Sequence, residues 1–370
     1  MSPDQLPTPC LLLDLPVLKR NIARMADAIA RHPGVVLRPH MKTAKSAAVA
    51  ELVAPGGGPI TVSTLAEARY FATHGFRDQI YAVGITPAKL DAVAALNAEG
   101  ASVRIITDDL ETAQAIAAHP GRLPTLIEVD IGEGRAGVAP DSEALLEIGA
   151  ALGPKLAGVL SHSGHSYAGR SEAAMAELAE IERAGIVLAA ERLRGAGLTV
   201  AIVSAGASPT AMYAAHLEGV TEMRAGVYMM GDLLQAQLGV HPLEDIAVTV
   251  LTSVTGRYPA RNAVLVDAGA LALSKDRSTE AAPRDWKFGR VLDVAGQPSL
   301  GDALVVRVHQ EHGEVRAAEG GTLDLDRLKV GTRLRVAPNH VCLTAAAHPH
   351  YHVLDEAGRV VAVWDRVNFW

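Results

Sequence analysis

Apolar residues in the first two-thirds of the chain follow two alternating rhythms: short unbroken runs, and stretches where they recur every three or four positions. Residues 34–39 (GVVLRP) form a run of the first kind. Ahead of it, Leu18, Ile22, Met25 and Ile29 are spaced by four, three and four. That spacing places them on one face of a helix over 16–32, with Asp14 as N-cap and Pro16 in the first turn. After Lys42 the pattern predicts a helix over 44–53 and then a strand ending at Ser63. A further helix, capped by Thr64, runs to His74 and stops at Gly75. Strand-like runs follow at 79–83, 102–107, 125–130, 156–161, 199–204 and 222–227, with helical segments between them, the longest over 171–195.

These runs are near-continuously apolar and do not alternate, as parallel strands buried on both faces require. Counting the first two, eight strand–helix units over roughly 220 residues match a (β/α)8 TIM-type barrel in number and length. An open doubly wound sheet would carry a Gly-x-Gly-x-x-Gly turn after its first strand, and none is present. Near residue 240 the texture changes. Runs at 247–254, 263–267, 290–293, 304–309, 334–337 and 360–364 are strand-like and separated by Gly and Pro turns. The expected organisation is an α/β barrel over 1–240 followed by a mainly β domain over 241–370. The linker is expected around 239–243, and the first ten or so residues are free to pack with the second domain.

Composition narrows the function classes. The 370 residues are 49% hydrophobic and 20% charged, a globular balance. No apolar stretch of roughly 18 residues predicts a membrane span, and Met1-Ser2-Pro3-Asp4 does not open a secretory signal. A cytoplasmic protein is expected. The net charge of −7 is scattered, which disfavours nucleic acid or an anionic membrane as partner. The only two cysteines, Cys10 and Cys342, do not make a disulfide framework and remain candidates for a metal ligand or reactive thiol.

In such a barrel the chemistry lies at the C-terminal ends of the strands. Lys42 follows the first strand. Partial burial and cations such as Arg38 would lower its pKa and favour a Schiff-base lysine, against the ordinary alternative of a solvated surface lysine. Lys45, expected in the first turn of the next helix, is the weaker candidate. Residues 204–210 (SAGASPT) and 224–228 (RAGVY) follow the seventh and eighth strands, where many barrels bind phosphate. Together with a rim lysine they suggest a phosphate-bearing cofactor. Arg135, in a glycine-flanked loop, could aim inward or be an ordinary exposed arginine. Tyr167 could offer a ring face or simply pack.

A second cluster is Pro338-Asn339-His340-Val341-Cys342-Leu343. Read as a strand, it points His340 and Cys342 to the same side, a half-site for zinc with positions left open for water or substrate. His348, His350 and His352 could add a ligand. A buried thiol beside a hydrogen-bonded core histidine is the plainer alternative.

Arg38 to Lys45 (RPHMKTAK) resembles the RPHxKTxK segment of the D-serine dehydratase/D-threonine aldolase family, pyridoxal-phosphate enzymes of the alanine-racemase fold type. The stretches beginning at Thr8, at Glu128 (EVDIGEGRAG) and at His162 (HSGHSY), with Asp267-Ala268-Gly269 and PNHVCLT at 338–344, extend the resemblance over essentially the whole chain. It implies that Lys42 carries the aldehyde of pyridoxal 5'-phosphate and that Arg135 approaches the pyridine nitrogen. By the same resemblance His162 and Tyr167 line the cofactor, and Ser208, Gly226 and Val227 hold its phosphate. It implies that His340 and Cys342 hold a divalent metal, Zn2+ or else Mn2+ or Mg2+, and that the enzyme is a homodimer. Ala44 departs from the histidine many members carry, which puts one supporting contact in doubt.

Dehydratases of this family resemble the chain in their His-x-Cys pair, whereas the aldolases typically have His-x-Asp. The implied reaction is therefore dehydration of a small D-3-hydroxy amino acid to a 2-oxo acid and ammonia. Lys42 would remove the α-proton and the metal would assist loss of the β-hydroxyl. The alternatives are a D-threonine aldolase and, further off, a racemase or a non-catalytic pyridoxal-phosphate carrier. A carrier would lack the second domain and the His-x-Cys pair.

Overall fold

The unbroken apolar runs become parallel strands. In this computed structural model, which describes residues 1–370, the chain opens with β1 (Cys10–Asp14) and α1 (Leu15–Ala30). There follow β2 (Val36–Pro39), α2 (Ala47–Val53), β3 (Ile60–Val62), α3 (Leu65–Thr73), β4 (Asp78–Gly84) and α4 (Leu90–Ala98). Next come β5 (Ser102–Thr107), α5 (Leu110–Ala118), β6 (Thr125–Val129), α6 (Glu143–Leu152) and β7 (Leu156–Ser161). Then come α7 (Glu172–Gly195), β8 (Ile202–Ala205), α8 (Ser208–Tyr213) and β9 (Glu222–Ala225). Strands β2 to β9 pair in parallel in the order β2-β9-β8-β7-β6-β5-β4-β3. His40, the residue after β2, bridges Thr61 of β3 and closes the sheet into the expected barrel.

Burial holds the barrel together. Ile80, Ile106, Leu126 and Leu160, from four successive strands, form one buried cluster. Each such side chain contributes about 1.5–3 kcal/mol by leaving water. The outer helices show the same logic: α6 buries Leu145, Ile148 and Leu152, spaced three and four apart, and Ser142 caps it by accepting from the Leu145 N–H. One helix starts later than its spacing suggested. Lys45 has φ of 49°, a left-handed conformation, so residues 44–46 are not helical and α2 begins at Ala47.

The remaining elements are α9 (Leu233–Gln237), β10 (Val248–Tyr258), β11 (Ala263–Val266), α10 (Ala270–Leu273) and β12 (Arg290–Asp293). They continue with β13 (Ala303–Val308), β14 (Gly313–Ala317), β15 (Arg333–Ala337), α11 (Val341–Ala345), β16 (His350–Leu354) and β17 (Val360–Asp365). The sheet order is β11-β14-β13-β12-β15-β10-β1-β16-β17, and an extra β10–β11 pairing closes six of these strands into a second, antiparallel barrel. β1 lies in this sheet, antiparallel to β10 and parallel to β16. Spatially the chain divides into one unit of Met1–Ile22 with Val227–Asn368 and another of Ala23–Gly226 with Phe369–Trp370.

Three strands escape the hydrophobic pattern. β14 (GEVRA) and β16 (HYHVL) interleave charged or imidazole residues with apolar ones, and β1 is too short to separate from the helix that follows it. The cluster at 338–343, considered above as a strand, instead leads through His340 in extended conformation (φ −131°, ψ 106°) into the helix α11 from Val341.

Candidate active site

Lys42 stands in the turn that follows β2 and is exposed, while its neighbours Met41 and Thr43 are buried. Backbone bonds pin this turn. The His40 N–H donates to Ala225 (2.8 Å), Met41 N–H to Thr61 (2.8 Å) and Lys45 N–H to Met41 (2.7 Å). Lys45 is bound instead of free: its Nζ forms an ion pair with Glu67, whose carboxylate is wholly buried and also accepts from the Ser63 N–H. Arg38 is likewise committed, to Glu222 (2.8 Å) and Asp78 (3.0 Å). Lys42 is thus the free amine of this segment.

Two imidazoles share its surroundings. Burial, then the charges of Lys42 and Arg224 and the His162 ring, push His40 well below the usual histidine range. Burial first, and then Lys42, Arg135 and Arg224, lower His162 to about 3. Both rings are therefore neutral at physiological pH, and His162 Nδ1 lies 3.3 Å from the Gly206 carbonyl. Arg224, missed by the sequence reading, is a fully buried guanidinium that donates to Ser204 Oγ (2.6 Å) and to the Ser161 carbonyl. Its signal was there: a charged residue inside an apolar strand run.

Arg135 lies in the turn after β6. Asp130 Oδ1 accepts from the N–H groups of Gly132, Glu133 and Gly134 (2.9, 3.0 and 3.1 Å), and the loop turns through three positive-φ glycines. At Gly137 a side chain would meet the Asp130 nitrogen at 2.5 Å, so only glycine fits. The Arg135 head is about half exposed and is drawn to Glu133 (3.4 Å) and Glu128 (3.7 Å).

Ser208 is buried at the start of α8, and Tyr167 is half-buried in the short turn after β7. The turn before Ser208 is fastened by Glu182, a buried carboxylate of α7. Glu182 accepts from the Gly206 N–H (2.8 Å), Thr210 Oγ1 (2.6 Å) and Ser161 Oγ (3.1 Å). Gly226 sits where a Cβ would come within 2.7 Å of the His40 carbonyl, which lets the two backbones approach. Val227 is buried at the next position.

The second cluster is built around Asp232. This carboxylate is wholly buried, caps α9 through the Gln235 N–H (2.8 Å), and accepts from the Val341 N–H (3.1 Å). The same Oδ2 lies 3.1 Å from His340 Nδ1. Asn339 anchors the approach by donating to the Asp276 carbonyl (3.0 Å) and accepting from Thr279 Oγ1 (2.9 Å). His340 and Cys342 hydrogen-bond side chain to side chain. Burial alone would depress His340, but the Cys342 thiolate and Asp232 outweigh it and lift the ring to about 11. With Nδ1 turned to Asp232, loss of the Nε2 proton on metal binding would leave Nε2 and the thiolate as a soft N/S donor pair of the kind zinc accepts.

The other histidines do not join this pair. His348 Nε2 bonds to the Ala272 carbonyl (2.9 Å) and His350 Nδ1 to Asp365 (3.0 Å), and no cluster of three His, Cys, Asp or Glu residues forms. Cys10 is buried and its thiol is pushed up to about 12, so it is inert. No helix is long and apolar enough to cross a membrane.

Comparisons with known proteins show the family. Residues 13–233 match the family "Alanine racemase, N-terminal domain", and residues 247–354 match "Putative serine dehydratase domain". The chain is 43% identical to the D-threo-3-hydroxyaspartate dehydratase of Delftia sp. (strain HT23), over 99% of this chain and 98% of that one. The crystal form of that enzyme superposes with a TM-score of 0.96 at 41% identity, covering 100% of both chains. A cysteine-to-alanine variant of it, described as metal-free, superposes equally well, with a TM-score of 0.96 over 100% of both chains. The D-threonine aldolase of Filomicrobium marinum follows at 25% identity and a TM-score of 0.80, over 99% of this chain and 97% of that one.

Proposed function

The chain belongs to the family that joins an alanine racemase N-terminal domain to a serine dehydratase domain, and from that premise we propose that it is a lyase that dehydrates D-3-hydroxy amino acids to a 2-oxo acid and ammonia, using pyridoxal 5'-phosphate and a divalent metal. The observation that carries this is the His340–Cys342 pair with Asp232 behind the ring. A thiolate at 342, where the resembling aldolases carry a carboxylate, favours elimination over carbon–carbon cleavage.

The donor sets fit both groups. When bound, pyridoxal phosphate supplies an aldehyde and an electron sink, and the metal supplies a Lewis acid for the β-hydroxyl. Lys42 would hold the aldehyde and then, as a free amine, take the proton from Cα at its Nζ. His40 and His162 are neutral and so add no further positive charge beside it. Arg135, His162 and Tyr167 would line the cofactor, and Ser208, Gly226 and Val227 would hold its phosphate. Arg224 is a further buried cation of this set. His340 Nε2 and Cys342 Sγ would hold the metal, and N and S donors favour Zn2+ over Mn2+ or Mg2+.

In this reading the barrel holds the cofactor and the antiparallel unit the metal. A free thiol ligand suits a reducing, cytoplasmic compartment, and the enzyme is taken to work as a homodimer. Incubation with D-serine and with D-threonine tests the reaction class. Formation of a 2-oxo acid and ammonia supports it, whereas glycine plus an aldehyde would establish an aldolase instead.

A further inference from the structure

The unit that carries His340 also contains a cleft of about 930 Å3 that none of the residues assigned to the reaction lines. It opens over one face of the sheet formed by β1, β10, β15 and β12. Two arginines stand on that face. Arg290 is opposite Ala337 and Leu292 is opposite Arg335 in the β12–β15 ladder, so the two guanidinium-bearing positions are diagonal neighbours on one side.

Neither arginine is satisfied by the chain. Arg335 is only 6% exposed, yet its Nε, like that of Arg290, is buried without a hydrogen-bond partner. Asp14 and Asp293 act on Arg335 through space, but their carboxylates are engaged elsewhere. Asp14 accepts from the Val17 N–H (3.0 Å), and Asp293 from the Ala295 and Gln297 N–H groups (3.0 and 2.8 Å). Arg290 rests against the Trp286 ring, 5.3 Å from its centroid. The buried Arg38 and Arg366 differ: Arg38 ends on Glu222 and Asp78, and Arg366 on the His348 carbonyl (2.7 Å). Arg335 is a buried guanidinium without a hydrogen-bond acceptor, which is costly, and Arg290 beside it is half-buried with its Nε unpaired.

The cleft is also walled by Leu243, Ile246 and Leu292, and Asp4, Asp14, Glu244, Asp355 and Glu356 line it as well. The volume is that of a small-molecule site. The five acidic residues disfavour a polyanion, and the aliphatic walls favour an apolar body. We propose that this cleft binds a small organic monocarboxylate, its carboxylate forked by Arg335 and Arg290 and its body against the aliphatic walls. The site is separate from the residues assigned to the reaction.

The test is calorimetric titration of the full-length holoenzyme with hexanoate and, in parallel, inorganic phosphate. Hexanoate is expected to saturate one site per chain, to bind more tightly than phosphate, and to be undisturbed by the hydroxy amino acid substrate. Arg335→Met and Arg290→Met should each weaken it at least tenfold and leave KM for the substrate unchanged, while Arg335→Lys should retain part of the binding. Absence of saturable hexanoate binding to the unmodified chain would overturn the proposal. So would tighter binding of phosphate, competition with the substrate, or unchanged affinity in both methionine variants.

Discussion

Asp232 Oδ2 lies 3.1 Å from His340 Nδ1, across 108 positions of sequence, and the same oxygen accepts from the Val341 N–H. One buried carboxylate therefore sets both the ring's orientation and the start of the helix that carries Cys342. Asp232→Asn should lower metal affinity roughly 10–100-fold, the usual effect of losing such an outer partner. Bound metal after dialysis against graded chelator checks this. Cofactor absorbance should stay near its normal value, which separates a metal defect from general unfolding.

Lys42 and Lys45 are separable by substitution. Lys42→Ala should remove the visible absorbance of the bound cofactor and cut turnover by at least roughly 10²–10⁴-fold, the range for loss of a positioned acid–base group. Lys45→Ala should keep the absorbance band and instead destabilise the fold, because it strands the buried Glu67. Absorbance spectra and thermal melts of the two variants give the answer, and a reversed pattern would move the aldehyde-bearing role to Lys45.

Glu182 fastens the turn before Ser208 through three hydrogen bonds. Glu182→Gln keeps the shape but turns one acceptor into a donor facing donors. A loss of about 1–3 kcal/mol in stability is expected. The dissociation constant for pyridoxal phosphate should rise as well. Denaturant melts and cofactor titration measure the two effects.

Acid sensitivity should follow from the neutral rings. His162 is held near 3 in the folded protein, whereas an unfolded histidine titrates near 6.5. The unfolded state therefore takes up the proton first. Stability should fall as pH drops below about 6.5, at up to roughly 1.4 kcal/mol per pH unit for each such histidine, and the loss from His162 should continue toward pH 3. His162→Gln should flatten the slope by close to one proton, as read from denaturant melts across that range.

Much of the barrel was legible because its strands are buried on both faces and spell out their burial as near-continuous apolar runs. β14 and β16 were not, because their polar residues dilute the run. The segment after Pro338 does not run on as a strand: His340 alone is extended, and the chain turns into α11 at Val341. His340, Cys342 and Lys42 stood out by chemistry and local spacing. Asp232, Glu182 and Glu67 did not, since each acts on a partner distant in sequence, and a buried carboxylate looks like a surface one until the fold is known.

Metal-assisted elimination, with Lys42 as the proposed base and His340 and Cys342 as the proposed metal holders, makes a direct prediction about products. Its most direct test is product analysis with D-threo-3-hydroxyaspartate on the holoenzyme, its chelated form and Cys342→Ala. A 2-oxo acid and ammonia should appear in equal amounts, stop on chelation, return when Zn2+ or Mn2+ is restored, and be absent from Cys342→Ala despite normal cofactor absorbance. Glycine and an aldehyde as products, or undiminished turnover by the chelated enzyme and by Cys342→Ala, would contradict it.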